Sequence, residues 1–179
     1  MMNNLAYKDE PRTETIHGKT VMMSPSPTIG HNTISGNIYG IFWRFLKGKR
    51  CRVFMDGADV HLDDENTFIP DVMIVCDRDK IRHDGIYGAP DLVVEVLSPS
   101  TATRDKGTKK DVYERAGVKE YWIVDPDKRK VIVYLFGEDE DVSIYGFDDT
   151  IPVSLCGGSF GVDFSRIHAL LRRLLVSFA

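Results

Sequence analysis

The segment PDLVVEVL, residues 90–97, sets a glutamate (Glu95) in the middle of an otherwise apolar strand. Side chains alternate along a strand, so Asp91, Val93, Glu95 and Leu97 share one face and Leu92, Val94 and Val96 the other. Both faces are largely apolar, the pattern of a strand covered on both sides. Burying a lone carboxylate is very costly, so Glu95 must be paired, protonated or bound to a cation. The plainer alternative is an edge strand, with Glu95 turned to water or met by an arginine.

The rest of the chain supplies elements to cover such a strand. Ile34, Ile38, Ile41, Phe42, Phe45 and Leu46 recur at helical spacing and predict an amphipathic helix over residues 29–47. Gly36 and Gly40 inside it suit close packing. Strands are expected at 19–23, 51–55, 58–62 and 68–75, with breaks at Ser24 to Pro27, Asp56-Gly57 and 63–66. A second helix runs from about Thr103 to a left-handed cap at Gly117. Strands EYWIVD (120–125) and KVIVYLF (130–136) follow, then shorter ones near 142–146 and 151–155. Ile167, Leu170, Leu171, Leu174 and Leu175 are spaced for a closing helix. This order predicts an α/β fold with a mixed β-sheet flanked by helices. Its 179 residues suit a single domain, with polar residues 1–12 loosely ordered.

Asp71 follows Pro70 at the entry to an apolar strand, 24 residues before Glu95. That separation accommodates two strands and a loop, and on neighbouring strands both carboxylates would face one point. Oxygen ligands of this kind suit a hard divalent cation such as Mg²⁺. On the second helix Lys109 shares a face with Val112, Tyr113 and Ala116, so this lysine turns inward. Lys106 shares part of that face, and Lys110 turns to solvent. Asp91 could assist with metal, although an Asp after Pro also simply starts strands. His31 reads as a cap or packing residue, and Tyr121-Trp122 as core.

Residues 84–126 closely resemble the Uma-two family of restriction endonuclease-like proteins. The matching pieces are Pro90-Asp91-Leu-Val-Val-Glu95, Ser98-Pro99-Ser100-Thr101, Asp105 with Lys109 and Tyr113, Ala116-Gly117-Val118 and Glu120-Tyr121-Trp122. Gly18, Met23-Ser24-Pro25, His31 and Pro70-Asp71 fall in the same order upstream. The resemblance implies a PD-(D/E)XK nuclease fold in which Asp71, Glu95 and the main-chain carbonyl of Val96 hold Mg²⁺, with Mn²⁺ able to substitute. It also implies a lysine two residues after the glutamate, and here that position is Leu97. Lys109 is then the candidate for the migrated catalytic lysine. Glu14 stands where the family usually has a glutamate and would touch the metal through water. The implied activity is endonucleolytic hydrolysis of phosphodiesters in DNA by a homodimer.

Composition bears on this reading in three ways. A net charge of −4 weighs against coating nucleic acid through bulk charge, though metal-ligating carboxylates count toward it. Cys51, Cys76 and Cys156 are odd in number and form no Cys-x-x-Cys pair, which predicts neither a zinc site nor a disulfide, and a reducing cytosol. The N-terminus has no secretory pattern, and no apolar run reaches the ~20 residues of a membrane span. Two other functions compete: a non-catalytic assembly module whose site has decayed at Leu97, and a phosphohydrolase acting on small phosphates.

Overall fold

The computed structural model describes residues 12–23, 27–98, 102–137, 141–155 and 159–167. Strands β1 (Thr13–Ile16) and β2 (Lys19–Met22) form a hairpin about His17-Gly18. Both turn residues have positive φ, 50° and 71°, the two-residue turn whose twist matches the strands it joins. Helix α1 (Ile29–Leu46) begins at Thr28, whose hydroxyl accepts the His31 N–H at 3.2 Å. There follow β3 (Arg52–Met55), β4 (Val60–Asp63), β5 (Asn66–Phe68), β6 (Val72–Val75), β7 (Ile86–Tyr87) and β8 (Leu92–Val96). Helix α2 has three parts: Ala102–Arg104, a π-helical turn Asp105–Lys109, and Lys110–Ala116. It ends as expected at Gly117, at φ 94°. Strands β9 (Glu120–Asp125), β10 (Lys130–Leu135), β11 (Asp141–Gly146), β12 (Thr150–Val153) and β13 (Phe160–Asp163) complete it.

The central sheet has the order β11-β10-β9-β8-β6-β3 and is mixed: β8 and β9 are parallel, the other pairs antiparallel. Its alternating side chains feed two cores. Val72, Ile74, Leu92, Val94, Val96, Trp122 and Val124 pack with Ile34, Ile38 and Phe42 of α1, and with Ile151, Val162 and Phe164. Met73, Val75, Val93, Leu97, Tyr121 and Ile123 pack on the other side with Val112 and Tyr113 of α2, and with Ile16, Val60 and Phe68. Those last three come from a second sheet, ordered β2-β1-β5-β4-β7. Every residue of β8 is buried, and β8 lies between β9 and β6, so the edge-strand alternative for Glu95 is excluded.

Several expectations are revised. The strand anticipated over 68–75 is two strands, β5 and β6, in different sheets, because Ile69-Pro70-Asp71 carries the chain from one sheet to the other. A proline has no N–H for a ladder, so it suits such a crossing point. Strands β1, β7 and β13 are too short to show a pattern of their own. A Cβ on Gly36 or Gly40 would meet nothing within 4 Å, so neither glycine serves close packing. Residues 164–167 are helical and Ile167 is buried, while Leu170, Leu171, Leu174 and Leu175 lie outside the described residues.

The cysteine expectation is overturned: Cys51 and Cys76 form a disulfide. Register explains why spacing concealed it. Arg52 pairs with Val75 across β3 and β6, so one step further places Cys51 opposite Cys76 despite a sequence separation of 25. The cysteines therefore give no argument for a reducing compartment. No helix among the described residues is long and apolar enough to cross a membrane.

Asp91 fastens the start of β8. Its Oδ2 accepts the Cys76 N–H at 2.7 Å and its Oδ1 the Lys119 ammonium at 2.8 Å. Burial pushes its pKa up, but Lys119 and the Cys76 N–H more than offset this and hold it below the ordinary aspartate value. A depressed folded pKa gives stability that is present above the unfolded value and lost as pH falls through the folded one. Asp91→Ala should therefore cost about 1–3 kcal/mol at pH 7. Urea denaturation should show the gap to wild type closing as pH falls below about 4.

Candidate active site

Glu95 and its neighbours are assembled from both sheets and α2. In the antiparallel pairing of β6 and β8, Val72 faces Val94 and Met73 faces Val93. Continuing that register one step sets Asp71 opposite Glu95, so the expectation of neighbouring strands holds. Glu14 arrives from β1, where alternation turns Glu14 and Ile16 inward. The π turn of α2 brings Asp105 and Lys109, both buried. A π turn holds one residue more than an α turn and recurs at functional sites.

The ammonium of Lys109 is the hub. It lies 2.7 Å from Glu14 Oε1, 3.1 Å from Glu95 Oε1 and 3.7 Å from Asp105 Oδ1. All four side chains are at most 5% exposed, so these charges interact with little screening from water. Burial lowers the lysine pKa, but the three carboxylates outweigh this and hold it protonated. For Glu95, burial pushes the pKa up, Lys109 opposes, and Asp105, Asp71 and Glu14 add to the rise, leaving it well above the ordinary range. Tyr113, its phenol pKa raised by burial and by Glu95, donates to Glu95 Oε1 at 2.9 Å. Tyr121 donates to the Asp105 carbonyl at 3.0 Å and so ties the π turn to β9.

Asp71 forms the outer corner of the site. Its Oδ2 accepts the Val96 N–H at 2.7 Å and lies 3.2 Å from His31 Nε2. Burial lowers the His31 pKa, but the hydrogen bond and charge of Asp71, with the Val96 main chain, raise it overall above the ordinary value. Glu14 is fully engaged: Oε1 also accepts the Ile69 N–H at 3.0 Å, and Oε2 lies 3.5 Å from Arg104.

The sequence candidates thus separate. Asp71, Glu95, Val96, Lys109 and Glu14 come together, whereas Asp91 sits at the opposite end of β8 with both oxygens occupied. Lys106 pairs with Asp125, and Lys110 with Glu114. Leu97 is buried in the core beside Tyr113. Sequence reasoning left Asp105 without a role, although its position four residues before Lys109 was a usable signal. His31, read as a packing residue, meets Asp71.

No group of three His, Cys, Asp or Glu side chains among the described residues is arranged to hold a metal ion. The donor set nevertheless suits a hard cation that takes few protein ligands. Among the described residues the protein's donors reach only Oδ2 of Asp71 and only Oε1 of Glu95. Each carboxylate keeps its second oxygen, Oδ1 and Oε2, for another partner.

The partly exposed Asp71 and the buried Glu95 stand beside an ammonium on a mixed sheet between helices, a nuclease-like α/β fold. The chain belongs to the Uma2 family, described as "Putative restriction endonuclease", whose model matches residues 2–163. It is 30% identical over 137 residues to the Synechocystis sp. protein slr1290, covering 74% of this chain and 72% of that one. It is 22% identical over 147 residues to sll1609 of the same organism, covering 73% and 82%. Both relatives are named as uncharacterized. Its fold is similar to the crystal structure of "a putative nuclease belonging to DUF820" from Anabaena variabilis, with a TM-score of 0.75, 21% identity and coverage of 90% of this chain and 92% of that one.

Proposed function

We propose that this protein is a divalent-metal-dependent endonuclease that hydrolyses phosphodiester bonds in DNA. The observation that carries the reading is the meeting of Asp71 and Glu95, each with one oxygen that no donor among the described residues reaches, beside the buried Lys109 ammonium. Membership in a family described as restriction endonuclease supports this substrate class. Asp71, Glu95 and the Val96 carbonyl would hold Mg²⁺, or Mn²⁺ in its place, and the ion would polarise the scissile phosphate and lower the pKa of a bound water.

The chain's own residues account for the rest. Lys109, held protonated, acts as a fixed positive charge that orients the attacking water and offsets charge developing on the phosphate. Glu14 and Asp105 hold the ammonium in place, and Tyr113 fixes Glu95 through Oε1. The same proposal includes a homodimer, since cutting both strands of a duplex calls for two such sites; sedimentation at micromolar protein checks it.

Calorimetric titration of Mn²⁺ into wild type and Glu95→Ala, paired with a plasmid-nicking assay, tests the function. Mn²⁺ binding and nicking by wild type, both lost in the variant, are expected. Absence of Mn²⁺ binding by wild type, with and without a short duplex, would favour the non-catalytic assembly module that Leu97 in the usual lysine position suggests.

A further inference from the structure

We propose that His31 is a positioning residue that fixes the rotation of the Asp71 carboxylate, so that Oδ1 is the oxygen presented to the cation. The inference rests on the reading of Asp71 as a metal ligand and adds to it the device that aims that ligand.

A main-chain donor and a ring nitrogen meet on one oxygen. Oδ2 of Asp71 receives the Val96 N–H at 2.7 Å from β8, and His31 Nε2 approaches it at 3.2 Å from α1. Among the described residues no donor reaches Oδ1. A carboxylate held by one hydrogen bond can still turn about its Cβ–Cγ bond and exchange its oxygens. A second donor, arriving from a different element, fixes the plane of the group. The remaining oxygen is then held in one direction before any ligand arrives, which lowers the ordering cost of binding.

His31 is itself held in place. Its N–H donates to the Thr28 hydroxyl at 3.2 Å, and the Ser35 hydroxyl donates to its carbonyl at 3.0 Å. Its side chain is 15% exposed, and Nδ1 is buried without a hydrogen-bond partner. With the proton on Nε2, the ring can donate to Asp71 at this distance and leaves no N–H on the buried Nδ1, so the carboxylate favours that tautomer. Packing alone would not require a ring nitrogen on the carboxylate.

Metal-free melting curves and Mn²⁺ calorimetry on wild type, His31→Ala, His31→Phe and His31→Gln test this. Residues that orient a metal ligand typically contribute about 10–100-fold in affinity. His31→Ala and His31→Phe should weaken Mn²⁺ binding by roughly that factor. His31→Gln, which can return an N–H to Oδ2, should restore most of it. If alanine at this position does not fold, the phenylalanine and glutamine variants decide between them. Tight Mn²⁺ binding by His31→Phe, while Glu95→Ala has lost it, would overturn the inference and leave the metal site standing. Equal losses in the glutamine and phenylalanine variants would also overturn it, since the hydrogen bond would then not matter. Failure of wild type to bind Mn²⁺, with or without duplex, would instead remove the metal site, and this inference with it.

Discussion

Lys109→Met should be the most destabilising single change in the candidate site, lowering stability by about 3–5 kcal/mol at pH 7–8. The substitution keeps the length and packing of the side chain and removes only the charge. Glu14, Glu95 and Asp105 would then be buried together without the ammonium between them, with Arg104 3.5 Å from Glu14. At about 2–4 °C per kcal/mol for a chain of this size, the melting temperature should fall by roughly 10 °C. The sign of the pH dependence separates this cause from lost packing. Lys109 opposes the rise in the Glu95 pKa, so its loss pushes that folded pKa still further above the unfolded value, and the variant gains stability relative to wild type as pH falls. Melting curves from pH 8 to pH 5 should therefore show the gap to wild type narrowing. A gap independent of pH would mean that the ammonium's contact with the Phe68 ring, 5.4 Å from its centroid, supplies the stability instead of its pairing with the carboxylates. Nicking should fall by about 10²–10⁴ in the variant under conditions where it remains folded.

Glu95→Gln should give the opposite combination: a folded protein without metal-dependent hydrolysis. Among the described residues the hydrogen bonds to this side chain, from Lys109 and Tyr113, end on Oε1. The glutamine carbonyl can accept both, while the amide nitrogen replaces Oε2, the oxygen left for a cation. Loss of the ion's charge stabilisation, several kcal/mol at about 1.4 kcal/mol per tenfold, predicts a fall in nicking of roughly 10³ or more. Stability should move little at pH 6 and favour the variant as pH rises. The raised pKa of Glu95 means that its ionisation in the folded state costs stability at high pH, and glutamine does not ionise. Urea melts at pH 6 and pH 9 would measure this. A variant that nicks DNA as fast as wild type would remove Glu95 from the chemistry.

What could be read from the residues divides along local and non-local lines. Glu95 within LVVEV announced a doubly covered strand because burial on both faces acts on each residue of the strand separately. The inward turn of Lys109 was legible for a similar reason, since Val112 and Tyr113 mark the buried face of the helix. Asp71 was legible as the partner of Glu95 only on the condition that their strands were neighbours, which the pairing of β6 with β8 meets.

The unread features depend on distant segments. Glu14 was reached only through the family resemblance, because its four-residue strand has an alternation too short to stand out and its partners come from Ile69, Arg104 and Lys109. The Cys51–Cys76 disulfide follows from the register of β3 on β6, which no spacing of cysteines encodes. Continuous apolar character through 68–75 concealed the passage between sheets, because each sheet buries its own part of that run. The π turn has no marker in the helical spacing at all.

That turn makes the site sensitive to length in a way that its chemistry does not suggest. Lys106, Gly107 and Thr108 are only partly buried, so exchanges of their side chains should be absorbed at the surface. Deleting one of the three is a different matter. The turn would close as an ordinary α turn, and the two halves of the helix would rotate against each other by about 100°. Lys109 and Tyr113 are held from one side by Glu95, while Asp105 is held from the other by Tyr121. A shortened helix cannot satisfy both anchor points, so one missing residue, with every acid, the lysine and the tyrosines still present, would leave the lysine out of phase with its acids.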